Sequence, residues 1–260
     1  IDPIMNDLFL PLFLVIVASV FQGTFGLGMK YIKPLPWEAW WLVYGLVAMI
    51  VLPLTWAFLA VPDLCAVISS APPAAIQKGM LYGFLWGVGG ILFGVSVGYV
   101  GVSITYGIVM GLAAAGGSLI PLAQMENAGS SPATVYVLAG VAIMLLGVAI
   151  CGTAGVKRDR LGTVSQTANP GKSFKVGLFI AISSGVLSAL LNVGFANAAP
   201  VAQAAIEAGA LPRNSSLAAW VVVLFGAALM NVGYAVLLLI KNKSWSGFRV
   251  AGVGKAYRWA

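Results

Sequence analysis

Long apolar runs alternate with short polar links along this chain. Seven runs are each long enough to cross a bilayer as a helix, which takes about 20 apolar residues. They cover residues 8–29, 38–61, 79–100, 102–124, 133–154, 174–198 and 215–240. The link between the sixth and seventh runs has room for a further short helix over 201–210. The pattern therefore predicts an all-α polytopic membrane protein with seven transmembrane helices.

Glycines follow the third run at steps of three or four residues, which places them on one face of a helix. They are Gly79, Gly83, Gly87, Gly90, Gly94 and Gly98. In water each would cost about 1 kcal/mol relative to Ala. In a bilayer the backbone must satisfy its own hydrogen bonds, and a bare face lets another helix approach closely. We predict that this face packs the third helix against the fourth, in a hairpin that turns near residues 100–103.

Composition excludes most other classes of protein. The chain is 60% hydrophobic and 8% charged, whereas soluble domains average about 45–50% and 25%. There is no His, which removes the commonest general base and most transition-metal sites. The two cysteines, Cys65 and Cys151, lack metal or redox spacing. We expect no enzyme, no cofactor, no metal site and no nucleic-acid partner.

Basic residues concentrate on alternate links. Of the 14 Lys and Arg residues, 12 follow odd-numbered runs. Because cytoplasmic loops are enriched in Lys and Arg, we expect those links in the cytoplasm and the N-terminus, residues 1–7, outside. The tail, residues 241–260, is basic and rich in aromatic residues, which suits a membrane interface.

The first and sixth runs resemble one another. Both begin with Leu-Phe, at Leu12 and Leu178, and carry small polar residues seven or eight positions on. An offset of five helices would invert the second copy, as in many secondary transporters. This predicts a first repeat over 8–154, a cytoplasmic linker over 155–173, and the first two helices of a truncated second repeat over 174–240.

Several short motifs carry a family resemblance. The third and fourth runs contain Gly83-Phe84-Leu85-Trp86-Gly87-Val88-Gly89, Phe93-Gly94 and Tyr99-Val100-Gly101-Val102-Ser103; elsewhere stand Trp37-Glu38, Asn197-Ala198-Ala199 and Asn231-Val232-Gly233. Together they resemble the L-rhamnose–proton symporter family of the drug/metabolite transporter superfamily. The resemblance implies ten helices, of which this chain would cover about seven, in the bacterial inner membrane. It also implies transport of a sugar such as L-rhamnose by alternating access.

Polar and aromatic side chains within the runs are the candidates for binding the solute, because polar groups are costly in a bilayer. They are Gln22, Tyr44, Trp86, Tyr106, Asn192 and Asn197, with Asn231 a weaker candidate. Amides offer donors and an acceptor to sugar hydroxyls, and aromatic rings can stack on a sugar. The alternatives are interhelical hydrogen bonding for the amides and core packing for the rings. Trp40 and Trp41 are expected in an interfacial aromatic belt.

Proton coupling needs a group that changes charge, and Glu38 is the only acid at the start of a run. It also matches the family pattern. The alternative is an ordinary first-turn acid that the helix dipole favours.

Two other functions stay open at this point. One is an uncoupled exporter or facilitator of the same fold. The other is a non-transporting membrane subunit that packs a partner, or a second copy of the chain, through its glycine faces.

Overall fold

The computed structural model describes residues 3–30, 33–124, 132–160, 173–249 and 254. Most of the predicted linker over 155–173 and the end of the tail lie outside these residues. Its helices are α1 (Pro3–Lys30), α2 (Trp37–Leu46), α3 (Leu52–Ala60), α4 (Leu64–Ser70), α5 (Pro73–Val100), α6 (Val102–Gln124), α7 (Pro132–Arg160), α8 (Phe174–Asn197), α9 (Ala199–Glu207) and α10 (Pro212–Lys241). A π-helical turn, Val47–Val51, joins α2 to α3, and a 3₁₀ helix, Ser244–Arg249, follows α10.

Every predicted apolar run coincides with helix, and the all-α polytopic class is confirmed. Five described segments are long and apolar enough to cross a membrane: Trp37–Ala60, Pro73–Val100, Ile104–Gln124, Phe174–Glu207 and Pro212–Lys241. The described parts of α1 and α7 add two shorter apolar stretches, Phe9–Thr24 and Thr134–Ile150. The division into inverted repeats stays a prediction.

The chain forms two compact units, and the first contains residues 1–44 and 234–260. Its core joins the start of α2 to the end of α10, through Leu35, Ala39, Trp40, Trp41, Ala235 and Leu239. Trp40 is only 1% exposed and Trp41 is also buried. The prediction of an interfacial belt is therefore wrong for these two rings, which are packed inside the unit.

The second unit, residues 45–233, is built around α8, which packs against both α5 and α6. Glycines make these contacts close: Gly89 of α5 faces Ser188, and Gly185 of α8 faces Leu112. The hydroxyl of Ser184, fully buried, donates a 2.7 Å hydrogen bond to the carbonyl oxygen of Gly89. On its other side, α6 contacts α7 where Gly111 faces Val148.

The glycine face of α5 packs against α10. Gly79 faces Val222, and Gly83 lies against the backbone of Val223; in return, Gly226 of α10 lies against the backbone of Met80. The two helices therefore meet backbone to backbone. The prediction that this face packs on the fourth helix is wrong, since its glycines face α10, and the contacts described between α5 and α6 lie near their connecting turn.

That turn is as tight as the sequence indicates. Gly101 adopts a φ of 82°, in the left-handed region that glycine enters without a Cβ penalty. Beside it, the buried hydroxyl of Ser96 donates to Thr105 Oγ1 at 3.1 Å. The turn therefore fixes α5 and α6 at this end, and α8 packs against both of them.

Helix directions agree with consecutive membrane crossings. Successive residues of α5, from Gly79 to Gly87, meet successive residues of α10, from Val222 to Asn231, so these two helices are parallel. Along α8, by contrast, residue numbers fall as those of α5 rise: Gly194 faces Tyr82 and Gly177 faces Tyr99. The third and seventh spans thus run one way and the sixth runs the other. Two short helices, α4 and α9, pack together at one end of this unit, and α9 matches the expected short helix.

Candidate functional site

A polar layer forms where α5 packs against α8 and α10 in the second unit. Ser188 faces Gly89, and Gly194 faces Tyr82. With a rise of about 1.5 Å per residue in both helices, Asn192 of α8 comes to the height of Trp86 in α5. Trp86 is near the middle of α5, which runs from Pro73 to Val100. The layer therefore lies near the middle of α5. Secondary transporters commonly hold their substrates near the middle of the membrane.

Asn192 lies across a glycine of α6. Its side-chain amide occupies the space that the Cβ of a larger residue at Gly117 would need. About one turn before Asn192 in α8, Ala189 faces Gly116 of α6, and this glycine lets the two helices approach. Asn192 is nevertheless an exposed side chain, so its amide can offer both a donor and an acceptor to a ligand.

Asn231 of α10 is the buried amide of this layer. It is 1% exposed, and its Nδ2 donates to the carbonyl oxygen of Ala227 at 2.9 Å. Gly87 and Gly90 of α5 make room for it: a Cβ on Gly87 would lie 2.9 Å from Asn231 Nδ2, and one on Gly90 would lie 3.8 Å from Oδ1. Sequence reasoning ranked Asn231 low as a candidate for binding the solute. The available signal for its position was the set of glycines that α5 carries at the same depth.

Trp86 is half-buried on the same helix. It follows Tyr82 by four residues and precedes Gly89 by three, so all three share the side of α5 that faces α8. The indole ring at this position can offer its apolar face for stacking on a solute. Together with Ser188 and Asn192, the layer offers stacking and neutral hydrogen-bonding groups.

Tyr106 and Asn197 have local partners that lie away from this layer. The ring of Tyr106 packs edge-on against Phe93, with centroids 4.8 Å apart. Asn197 ends α8 and donates from Nδ2 to the carbonyl oxygen of Val193 at 2.8 Å. Both are structural contacts, which the sequence analysis left open as the alternative to solute binding for these two residues.

Gln22, Tyr44 and Glu38 belong to the first unit, whereas Trp86 belongs to the second. Gln22 is exposed on α1. Tyr44 is stacked on Trp40, with ring centroids 5.6 Å apart and planes at 11°. The stack continues along α2, where Trp37 and Trp41 lie 5.1 Å apart. Tyr44 is therefore one member of an aromatic cluster.

Glu38 lies in the first turn of α2, 8% exposed. Its Oε1 accepts hydrogen bonds from Ser244 Oγ at 2.6 Å and from Asn242 Nδ2 at 3.1 Å. Sequence reasoning missed both partners, which are more than 200 positions away in the chain. We call this set of three side chains the Glu38 clasp. Among the residues whose structure is described, no group of His, Cys, Asp and Glu is arranged to hold a metal ion.

Comparisons with known proteins agree with the resemblance in the motifs. A family model described as L-rhamnose-proton symport protein matches residues 4–252. Relatives named L-rhamnose-proton symporter occur in Citrobacter koseri and Shigella sonnei, at 29% and 30% identity over 93% of this chain and 70% of theirs. A relative of that name in Yersinia pestis is 29% identical over the same shares. No solved structure matches this chain.

These relatives are transporters rather than enzymes, and membrane-spanning helices with bacterial relatives support an inner-membrane location. The match covers almost the whole chain, including the glycine-bearing helix α5 and the polar layer. The chain therefore belongs to the L-rhamnose-proton symport protein family.

Proposed function

We propose that this chain carries L-rhamnose, or a similar small polyhydroxylated solute, across the inner membrane together with a proton, by alternating access. The observation that carries the proposal is the family match over residues 4–252. Relatives over 93% of the chain have symporter names that specify both sugar and proton. The fold class agrees, since the chain consists of membrane-length helices.

The chemistry of the polar layer suits an uncharged solute. Trp86, Ser188, Asn192 and Asn231 are all neutral, and no Asp, Glu, Lys or Arg occurs in the middle of any of the seven runs. A charged substrate would need a countercharge at this depth, because an unpaired charge in the bilayer is costly. Sugar hydroxyls need only donors and acceptors, which the amides supply. We assign Trp86 and Asn192 as the principal solute contacts and retain Tyr106, Asn197, Gln22 and Tyr44 as secondary candidates.

Glu38 is the proposed coupling residue, since it is the only acid at the start of a span. Its carboxylate is bound by two neutral donors, Asn242 and Ser244. A proton on Oε1 would compete with these donors for the same oxygen. Proton binding would therefore loosen the Glu38 clasp, which gives a physical route from proton to conformation. We further propose that the basic links are cytoplasmic and the N-terminus outside.

Uptake of radiolabelled L-rhamnose tests the proposal, in cells that lack their own rhamnose transporter. Expression of this chain should give saturable uptake that a protonophore abolishes. Asn192→Ala should raise KM by about 2- to 12-fold, the range for losing one hydrogen bond worth 0.5–1.5 kcal/mol. The control is Ser118→Ala, whose exposed hydroxyl donates to the carbonyl oxygen of Ala114 in its own helix. Absence of any L-rhamnose uptake by the well-expressed chain would contradict the proposal.

An uncoupled facilitator is the second candidate. It is favoured by one observation: the runs contain no acid near their middle, where proton relays of pumps and transporters commonly lie. Uptake that persists at full rate with a protonophore, and that is unchanged by Glu38→Gln, would select this candidate. A chain that expresses and folds but moves no sugar would instead favour the membrane subunit that packs a partner or a second copy.

A further inference from the structure

The segment that follows α10 is held against the start of α2. Ser244 and Asn242 donate to Glu38 at 2.6 and 3.1 Å. Gly247 is buried, and a Cβ on it would come within 2.5 and 2.6 Å of two ring carbons of Pro36. One side of the segment 241–249 is therefore fixed to its own unit.

The exposed side chains of this segment are largely basic and aromatic. Lys241, Lys243 and Arg249 are all exposed, and Trp245 is 48% exposed with its ring 6.1 Å from that of Phe248. The acid in contact with the segment, Glu38, is bound by neutral donors rather than by these cations. Over 241–260 the sequence has five Lys or Arg residues and no Asp or Glu.

The position of the segment determines what it can meet. It begins where α10, a 30-residue apolar helix, ends at Lys241. That is the level of the lipid headgroups, where Trp side chains and basic residues are enriched. Each Lys or Arg near an anionic surface strengthens association about fivefold. Three such residues would give a preference on the order of 100-fold for anionic over neutral lipid.

We propose that residues 241–249 form a docking surface for the headgroups of anionic phospholipids, with Trp245 inserted between them. The Glu38 clasp and the Gly247–Pro36 contact hold the surface in place, so its basic side faces the leaflet. This proposal does not rest on transport, because it follows from the charge, exposure and position of the segment.

The test uses the purified full chain in vesicles of phosphatidylcholine with one quarter phosphatidylglycerol. One lipid at a time carries bromine on its acyl chains, which quenches nearby tryptophan. The contribution of Trp245 is the difference between the chain and its Trp245→Phe variant. Brominated phosphatidylglycerol should quench Trp245 far more than its mole fraction predicts, and 0.5 M salt should reduce this excess.

A matched pair of variants isolates the basic residues. Lys241→Gln with Lys243→Gln should reduce the lipid preference about 25-fold, at fivefold per residue. Lys78→Gln with Arg213→Gln removes two exposed charges near the starts of α5 and α10. This second pair should leave the lipid preference unchanged. Quenching by the two brominated lipids in proportion to their mole fractions would overturn the proposal. So would an equal effect of the two variant pairs, or loss of the excess on adding inorganic phosphate at constant ionic strength.

Discussion

Substituting Gly83 by Ala should separate α5 from α10. A Cβ on Gly83 would overlap the carbonyl oxygen of Val223 and lie 2.9 Å from its carbonyl carbon and 3.3 Å from the amide nitrogen of Ala227. These are backbone atoms of another helix, so no side-chain rotation can relieve the contact. Carbon atoms pack best at about 3.5–4.0 Å, so the helices must move apart by roughly 1 Å.

Two terms set the size of the effect. Overpacking a close contact costs typically about 1–3 kcal/mol and occasionally more. Ala gains about 1 kcal/mol over Gly in helix propensity, which offsets part of this. Since the clash involves backbone atoms, we take the upper end of the overpacking cost, about 3 kcal/mol. After the gain in helix propensity, the free energy of unfolding should fall by about 2 kcal/mol.

Gly90→Ala is the matched control on the same helix. A Cβ there would meet only Asn231 Oδ1, at 3.8 Å, an ordinary van der Waals contact. Thermal unfolding in detergent, followed by tryptophan fluorescence, should show a lower midpoint for Gly83→Ala and an unchanged or slightly higher one for Gly90→Ala. Equal midpoints for the two variants would refute the close crossing of α5 and α10.

Three further substitutions test other contacts. Ser184→Ala removes the buried bond to Gly89 and should lower the unfolding free energy by about 0.6 kcal/mol, the average for interhelical hydrogen bonds in membranes; a chemical denaturation curve measures it. Glu38→Ala leaves two donors without their acceptor and should speed amide hydrogen exchange over 242–249, with Glu38→Gln intermediate. Gly101→Ala forces a side chain to a φ of 82°. The backbone strain should lower the free energy of unfolding by roughly 1–3 kcal/mol, which a thermal unfolding curve would show as a lower midpoint.

The helices themselves were predictable because the bilayer constrains them strongly. Backbone polar groups must be satisfied within each span, so a long apolar run has to be a helix, and all seven runs are. The glycines on α5 predicted close approach to a neighbour, but a face without side chains carries no information about which neighbour it meets. It is the contacts in the structure, such as those of Gly83 with Val223 and of Gly226 with Met80, that identify α10.

The candidate site was predictable in part. Trp86 and Asn192 were chosen separately, and the contacts of α8 with α5 bring them to one height. The burial of Asn231 was not predicted, because it depends on glycines of another helix. The burial of Trp40 was missed, since interfacial belts and packed cores use the same aromatic residues.

The Glu38 clasp could not have been found by spacing rules. Its donors, Asn242 and Ser244, lie 204 and 206 positions along the chain. Periodicity reports on residues three or four apart, and nothing in a single sequence pairs groups so distant. The sequence named Glu38 as a coupling candidate but gave no partner through which a proton could act.

Proton movement driven by sugar tests the central claim most directly. The purified chain would be reconstituted in vesicles that contain a trapped pH dye, with no initial pH gradient. On adding L-rhamnose outside, symport predicts acidification of the lumen that saturates with sugar, disappears with a protonophore, and is absent in empty vesicles. Rhamnose entry without any change in luminal pH would contradict proton coupling, and the absence of both would contradict the transporter assignment itself.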